Sequence, residues 1–181
     1  MNKKPYAEDY ELVPQVDARG REKQTAVYRG RYFELEAGGP GLSRFKRLCL
    51  LLTAVLFLLH AAGGFVNNPG MFQAYVSLPY VAAFFPLLYL AAGVLHLPKE
   101  KPRYRRDEIG LSLWRMQSSS RILLAALALG LLGETVFLLF VSAGQAPGRE
   151  LLYLGLEGLA LAAGVGLVRL ERKMRFKENV T

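Results

Sequence analysis

Two glutamates stand inside long apolar runs of the sequence, and their chemistry there needs an explanation. Glu134 lies near the middle of the apolar run 121–142, and Glu157 lies inside the next run. A third ionisable group, His60, falls within the first apolar run. A histidine close to two carboxyl groups could bind a proton or a divalent cation. These residue types therefore predict either an ionisable site or polar groups that hold helices together.

The positions of these groups along their runs place them in one layer. With about 1.5 Å of rise per residue, Glu134, Glu157 and His60 lie roughly 9–13 Å from the same end of their predicted helices. Ser77 and Tyr80 in the second run fall in the same band. The layer predicts a polar cluster inside the membrane. It either binds a proton or cation, or it only joins helices by hydrogen bonds.

Four apolar runs must position these side chains, in a chain of which 52% is hydrophobic. Each run is near the roughly 20 apolar residues that a membrane-spanning helix needs. Short turns follow the first and third runs, so two helical hairpins are expected. We predict an all-α integral membrane fold, a four-transmembrane-helix bundle within residues 44–177. The predicted spans are residues 48–66, 71–97, 122–143 and 151–168.

Small residues near the two glutamates indicate where helices meet, because glycine and alanine let membrane helices approach closely. Gly130 and Gly133 lie beside Glu134 at or near helical spacing. We expect these small residues to pack helices together, with both carboxyl groups at the interface of the third and fourth spans. A second row of small residues recurs every four positions in the fourth run, at Gly158, Ala162 and Gly166.

A polar leader of balanced charge, residues 1–43, precedes the membrane part. It contains two stretches of strand-forming residues separated by a turn signal at 17–20, with Asp first and Gly fourth. One interpretation is a small β-hairpin. The other is an extended tail, because an isolated hairpin is marginally stable in water. A folded leader would have to pack on the long loop, on the C-terminal tail or on another protein.

The long loop, residues 98–120, and the tail, residues 169–181, are both basic. Apolar residues in the second half of the loop follow helical spacing, and Trp114 lies beside them. The loop therefore predicts an amphipathic helix with Trp114 as an interfacial anchor. The alternative is that this segment simply extends the third span.

The distribution of charge predicts the orientation. The net charge is +8, and all Lys and Arg except Arg149 lie in or beside the leader, the long loop and the tail. By the positive-inside rule, these three segments face the cytoplasm and both termini are cytoplasmic, in a cell membrane. The basic flanks would attract anionic lipid headgroups. Orientation explains the basic residues better than nucleic-acid binding does, so no nucleic-acid partner is expected.

The sequence lacks the signals of most enzyme classes. Cys49 is the only cysteine, which excludes an intrachain disulfide and a paired-cysteine redox site. No nucleophile elbow, HExxH, phosphate loop or dinucleotide-binding turn is present. No catalytic residue, cofactor or complete metal site is predicted. The first apolar run begins after a long polar leader, so we expect that run, rather than a cleaved signal peptide, to direct insertion.

Three functions remain after these exclusions. We favour an accessory or assembly subunit of a larger membrane complex, because the chain is small and its helix faces are rich in glycine. Its partners would be the bilayer and another membrane protein or a second copy. The alternative is a small oligomeric proton- or cation-linked transporter or channel that uses Glu134 and Glu157. The third function is a membrane enzyme that acts on lipids.

Overall fold

Four helices long and apolar enough to cross a membrane occur in the residues that the structure, a computed structural model, describes. The described residues are 6–16, 22–36, 41–142 and 147–179. The protein is mostly helical, at 70%, which confirms the prediction of four apolar helices and supports a multi-pass membrane protein. The bounds of α1 to α4 are Leu42–Gly64, Ala74–Leu95, Arg106–Phe140 and Pro147–Glu171.

The helices pack as two pairs. α2 lies mainly against α3, α1 lies mainly against α4, and contacts between α3 and α4 join the pairs. Large apolar side chains also cover the outside, where Leu58 is 67% exposed and Leu139 is 71% exposed. A bundle that is apolar inside and outside suits a bilayer rather than water. The buried core includes Phe45, Leu56, Leu87, Leu90, Met116, Leu123 and Leu167.

The contact between α2 and α3 explains two of the predicted packing glycines. Pro79 lies inside α2 and has no N–H, so it cannot bond to the carbonyl of Tyr75 four residues earlier. α3 approaches that carbonyl closely, and a Cβ added at Gly133 would lie 2.6 Å from the Tyr75 oxygen. A Cβ at Gly130 would lie 3.8 Å from Pro79 Cβ. Both glycines therefore pack α3 against α2, not against α4.

The row Gly158, Ala162 and Gly166, predicted to pack helices together, does not lie at a close helix contact among the described residues. A Cβ added at Gly158 or Gly166 would meet nothing within 4 Å among the described atoms, and Ala162 is exposed. The physical reason is that a different stripe of α4 faces inward. Gly164 belongs to that stripe, where an added Cβ would lie 2.8 Å from Leu124 Cδ2. The buried residues of the stripe include Tyr153, Glu157, Ala160, Gly164, Leu167 and Glu171.

The second half of the long loop is the first part of α3. The helix begins at Arg106, where Glu108 accepts a hydrogen bond from Arg105 N at 2.9 Å. A π-helical stretch, Gly110–Trp114, follows before the regular helix resumes. Of the two interpretations of this segment, the structure supports the extension of the third span. Trp114 lies on the outer surface of the helix and is 42% exposed.

The leader contains the β-hairpin that its sequence allows. β1, Tyr10–Val16, pairs antiparallel with β2, Glu22–Tyr28, in continuous register from Tyr10↔Tyr28 to Val16↔Glu22. The turn signal at 17–20 lies outside the described residues. Because β1 and β2 contact mainly each other, we call this unit the ribbon.

A three-stranded sheet at one end of the bundle corrects the expected all-α fold. β3, Tyr32–Leu35, lies between β4, Tyr104–Arg105, and β5, Phe176–Asn179, and both pairings are antiparallel. The leader, the long loop and the tail therefore meet in one sheet. We call this end of the bundle the strand end. The opposite end, which carries the 3₁₀ turn Pro69–Phe72, is the turn end.

Candidate functional site

A buried histidine–glutamate pair joins α1 to α4 near the turn end. His60 Nδ1 lies 3.0 Å from each carboxyl oxygen of Glu157. The two side chains are only 1% and 3% exposed. The other ring nitrogen, Nε2, lies 3.1 Å from the backbone oxygen of Tyr80 on α2. One imidazole therefore links three helices.

The partners of His60 constrain where the protons lie. The Tyr80 carbonyl oxygen can only accept, so Nε2 carries a hydrogen. Nδ1 and Glu157 then share one further proton, either as an imidazolium beside a carboxylate or as a neutral imidazole beside a carboxylic acid. In both arrangements the pair carries no net charge, so neither side chain is left as an uncompensated charge in the apolar interior.

Aromatic rings and glycines enclose this pair. The Tyr80 hydroxyl donates to the His60 backbone oxygen at 3.0 Å. The imidazole centroid lies 4.4 Å from that of Tyr80 and 4.5 Å from that of Phe84. Gly63 leaves room for Glu157, because an added Cβ would lie 2.6 Å from Glu157 Oε1. We call His60, Tyr80, Phe84 and Glu157 the histidine cluster.

A second buried cluster lies beside the 3₁₀ turn and contains two glutamates. Asn68 Nδ2 donates to Glu134 Oε1 on α3 at 3.2 Å and to Glu150 Oε2 on α4 at 2.7 Å. The backbone N–H of Gly70 donates to Glu150 Oε1 at 3.0 Å. Asn68, Glu134 and Glu150 are each 0% exposed. We call these three residues the carboxyl cluster.

The two glutamates of the carboxyl cluster are not equally satisfied. Each oxygen of Glu150 accepts a hydrogen bond. Glu134 Oε2 has no hydrogen-bond partner among the described residues, and it lies against the Gly70 Cα, where a side chain would collide with it. Both carboxyl groups accept from the same Asn68 nitrogen, so they lie close to each other. Two ionised carboxylates at this place would repel each other, and a proton on one of them relieves the repulsion.

A fourth buried glutamate, Glu171, lies at the other end of the bundle. Ser120 on α3 donates to Glu171 Oε2 on α4 at 2.8 Å, and Glu171 is 2% exposed. Glu171 lies about 21 Å along α4 from Glu157, at 1.5 Å per residue. The buried polar groups therefore form separate clusters along the bundle.

The structure divides the predicted polar layer. It brings His60, Tyr80 and Glu157 together, and it places Glu134 in the other cluster. Ser77 joins neither, because its hydroxyl donates to the Gln73 backbone oxygen of its own helix at 3.1 Å. Among the described residues, no three His, Cys, Asp or Glu side chains converge in a way that could hold a metal ion.

The sequence reasoning missed Asn68, Glu150 and Glu171. Asn68 belongs to the short turn after the first apolar run, and Glu150 directly precedes the predicted fourth span at 151–168. The missed signal is the spacing on α4, since Glu150, Glu157 and Glu171 are separated by seven and fourteen residues. Residues seven apart lie on the same face of a helix. That spacing indicates one acidic face of α4, which the structure buries.

Comparison of the chain with protein-family models, with curated proteins and with solved structures finds no match in any of the three.

Proposed function

We propose that this protein is an accessory subunit of a larger membrane complex, and that the ribbon binds a partner protein. The observation that supports this proposal is a mostly apolar ribbon face that the described residues leave uncovered. Residues that pair directly across two strands share one face. The pairing therefore places apolar residues on the same face as Tyr10 and Tyr28, and the two polar residues of this face lie at its far end. The apolar residues are Leu12, Pro14, Val16 and Ala26, and the polar ones are Gln24 and Glu22.

The base of the ribbon is fixed to the helical part. The Tyr10 hydroxyl donates to Asp107 Oδ2 at 2.7 Å, and the Tyr28 hydroxyl accepts from Arg106 N at 3.0 Å. The hydrogen bond to Asp107, together with burial, raises the pKa of the Tyr10 phenol. The phenol therefore stays neutral and donating across the physiological pH range. The Tyr10 and Tyr28 rings also meet edge to face, with centroids 5.2 Å apart.

The face beyond this base is open. Leu12 and Val16 are each 64% exposed. A two-stranded ribbon also leaves backbone groups unpaired at both edges, which is the geometry that partners use when they add a strand. An anchored ribbon with an exposed apolar face is typical of a docking element.

The buried clusters are compatible with this function, because their hydrogen bonds run between helices. The histidine cluster joins α1, α2 and α4, and the carboxyl cluster joins the α1–α2 turn to α3 and α4. Such bonds stabilise membrane helix packing. We therefore assign both clusters a structural role within the subunit.

The proposed orientation places the strand end, and with it the ribbon, in the cytoplasm of a cell. The leader, the long loop and the tail pair in one sheet, and nearly all Lys and Arg lie in or beside these segments. The positive-inside rule then assigns that side to the cytoplasm. A C-terminal tag that a protease reaches from outside intact cells would contradict this orientation.

The partner proposal is tested by purification from the native membrane in mild detergent, followed by mass spectrometry. We expect a stoichiometric partner with the natural chain. Leu12→Asp should remove it, because Leu12 pairs with Ala26 on the apolar face and an unpaired carboxylate buried in an apolar interface costs about 3–5 kcal/mol. Val27→Asp is the matched control, since Val27 pairs with Glu11 on the opposite face. Loss of the partner in both variants, or in neither, would contradict the proposal.

Proton-linked transport is the second candidate, and the carboxyl cluster favours it. Two fully buried glutamates that accept from one amide nitrogen lie close enough together for the pair to hold and release one proton. In proteoliposomes that contain a pH-sensitive dye, a transporter would move protons under an imposed gradient. Glu134→Gln should then abolish the flux, whereas Glu171→Gln at the strand end should retain more of it. Dye traces identical to those of empty vesicles would rule this candidate out.

A further inference from the structure

Apolar grooves lie on the outer surface of the described bundle, and among three of them one differs from the other two. This groove lies between α2 and α3 towards the strand end and has a volume of about 570 Å³. We call it the interfacial groove. Its α2 wall contains Phe85, Pro86 and Tyr89, and its α3 wall contains Trp114, Arg115 and Ile122.

A half-buried arginine distinguishes the interfacial groove. The Arg115 guanidinium lies over the Tyr89 ring, 5.7 Å from its centroid. Within the part of the chain that the structure describes, it forms no ion pair with a carboxylate. The other two grooves, about 690 Å³ and 360 Å³, have no charged residue in their lining.

The polarity of the interfacial groove changes along its length. Arg115 and the exposed Ser118 lie within the polar start of α3, and Trp114 and Tyr89 are amphipathic aromatic residues. Phe85 and Ile122, which are 68% and 61% exposed, line the part that faces the apolar middle of the bundle. A cation with aromatic neighbours followed by an apolar wall matches a phospholipid, with its headgroup at the interface and its chain below.

Local backbone features shape this groove. The π-helical stretch Gly110–Trp114 displaces the start of α3 from a regular helix, and such bulges occur frequently at functional sites. The Tyr6 hydroxyl lies against Gly110, where a side chain would collide with it, and Tyr6 closes the groove towards the strand end. Pro86 lies within the facing wall on α2.

We propose that the interfacial groove is a binding site for an anionic glycerophospholipid, with Arg115 contacting the phosphate of the headgroup and the acyl chain lying along Phe85 and Ile122. The site is independent of the proposed partner surface on the ribbon. Lipid binding at this site differs from the general attraction of anionic lipids to the basic flanks, because it depends on Arg115 in the groove.

The protein provides its own reporter for this site. Trp114 is the only tryptophan of the chain, and it lines the groove. Brominated acyl chains quench tryptophan fluorescence on contact. The experiment reconstitutes the protein in vesicles of phosphatidylcholine and phosphatidylglycerol at equal mole fractions, with only one of the two lipids brominated in each sample.

We expect brominated phosphatidylglycerol to quench Trp114 in preference to brominated phosphatidylcholine. The binding constant for phosphatidylglycerol should exceed that for phosphatidylcholine about fivefold. This ratio corresponds to the roughly 1 kcal/mol that one basic residue contributes near an anionic surface. Arg115→Gln should reduce this ratio to about one, and Arg115→Lys should retain most of it, which separates loss of charge from loss of fold.

Arg121→Gln is the matched control, because it removes the same charge from the same helix outside the groove. It should retain the preference. Equal quenching by the two lipids in the natural chain would overturn the proposal and indicate ordinary boundary lipid only. An equal loss of preference in the Arg115→Gln and Arg121→Gln variants would overturn it as well, since the preference would then come from overall surface charge.

Discussion

The histidine cluster and the carboxyl cluster bury the same kind of group near the same end of the bundle, but they balance its charge differently. Glu157 faces an imidazole, so the pair can be neutral with both of its charges matched. Glu134 and Glu150 face neutral amide donors from Asn68 and Gly70. Two carboxylates in that setting would repel each other, and a proton on one of them relieves the repulsion.

The comparison separates two uses of buried carboxyl groups. In the histidine cluster each partner needs the other, so removing one leaves an uncompensated group in an apolar environment. In the carboxyl cluster the two glutamates compete for donors, so one of them can be neutralised at little cost. The same substitution should therefore have different effects in the two clusters.

The largest effect is expected for Glu157→Ala. This change leaves His60 without the partner of its Nδ1 and opens a space beside Gly63. We expect the free energy of unfolding to fall by about 3–5 kcal/mol, measured by denaturant titration in mixed micelles. A loss below about 1 kcal/mol, the level of an exposed pair, would show that the pair does not need mutual compensation.

A double variant gives the control. His60→Phe combined with Glu157→Leu removes both polar partners and leaves apolar groups of similar size. Replacement of both members of a buried pair is often close to neutral. The double variant should therefore lose less stability than the sum of His60→Phe and Glu157→Leu measured separately. Strict additivity would contradict the coupling.

Glu150→Gln is expected to have an intermediate effect. Both oxygens of Glu150 accept hydrogen bonds, one from Asn68 and one from Gly70. A glutamine must turn its NH₂ group towards one of these donors, which leaves that buried donor unpaired. The cost should be about 1–3 kcal/mol of unfolding free energy, seen as a lower midpoint in the same titration. An unchanged midpoint would show that the turn rearranges around the amide.

The sequence predicts those features of the two clusters that depend on the apolar runs. Runs of membrane length predict α1 to α4, and a glutamate within such a run is expected to avoid lipid. The partners of Glu134 are less accessible to sequence reasoning. Asn68 comes from the α1–α2 turn, and Glu150 comes from the start of α4. Only the tertiary structure brings these two residues into contact with each other and with Glu134.

The face of α4 shows a second limit. Its sequence has two rows that could face inward, the small residues Gly158, Ala162 and Gly166 and the acidic stripe from Glu150 to Glu171. Small residues favour close packing, but burying the glutamates in contact with polar partners avoids a larger cost in lipid. Burial of the glutamates therefore determines which face of α4 points inward. The short strands β3, β4 and β5 pair across long stretches of chain, so local patterns could not predict their sheet.

The smallest effect, and one of opposite sign, is expected for Glu134→Gln. Glu134 Oε2 lacks a partner among the described residues, and Asn68 donates only to Oε1. The glutamine oxygen can keep the bond from Asn68. The amide carries no charge, so the repulsion between the two carboxylates is removed. Stability should stay equal or rise by up to about 1 kcal/mol. A loss comparable with that of Glu150→Gln would mean that the two glutamates are equivalent, and the distinction between the clusters would then rest on His60 alone.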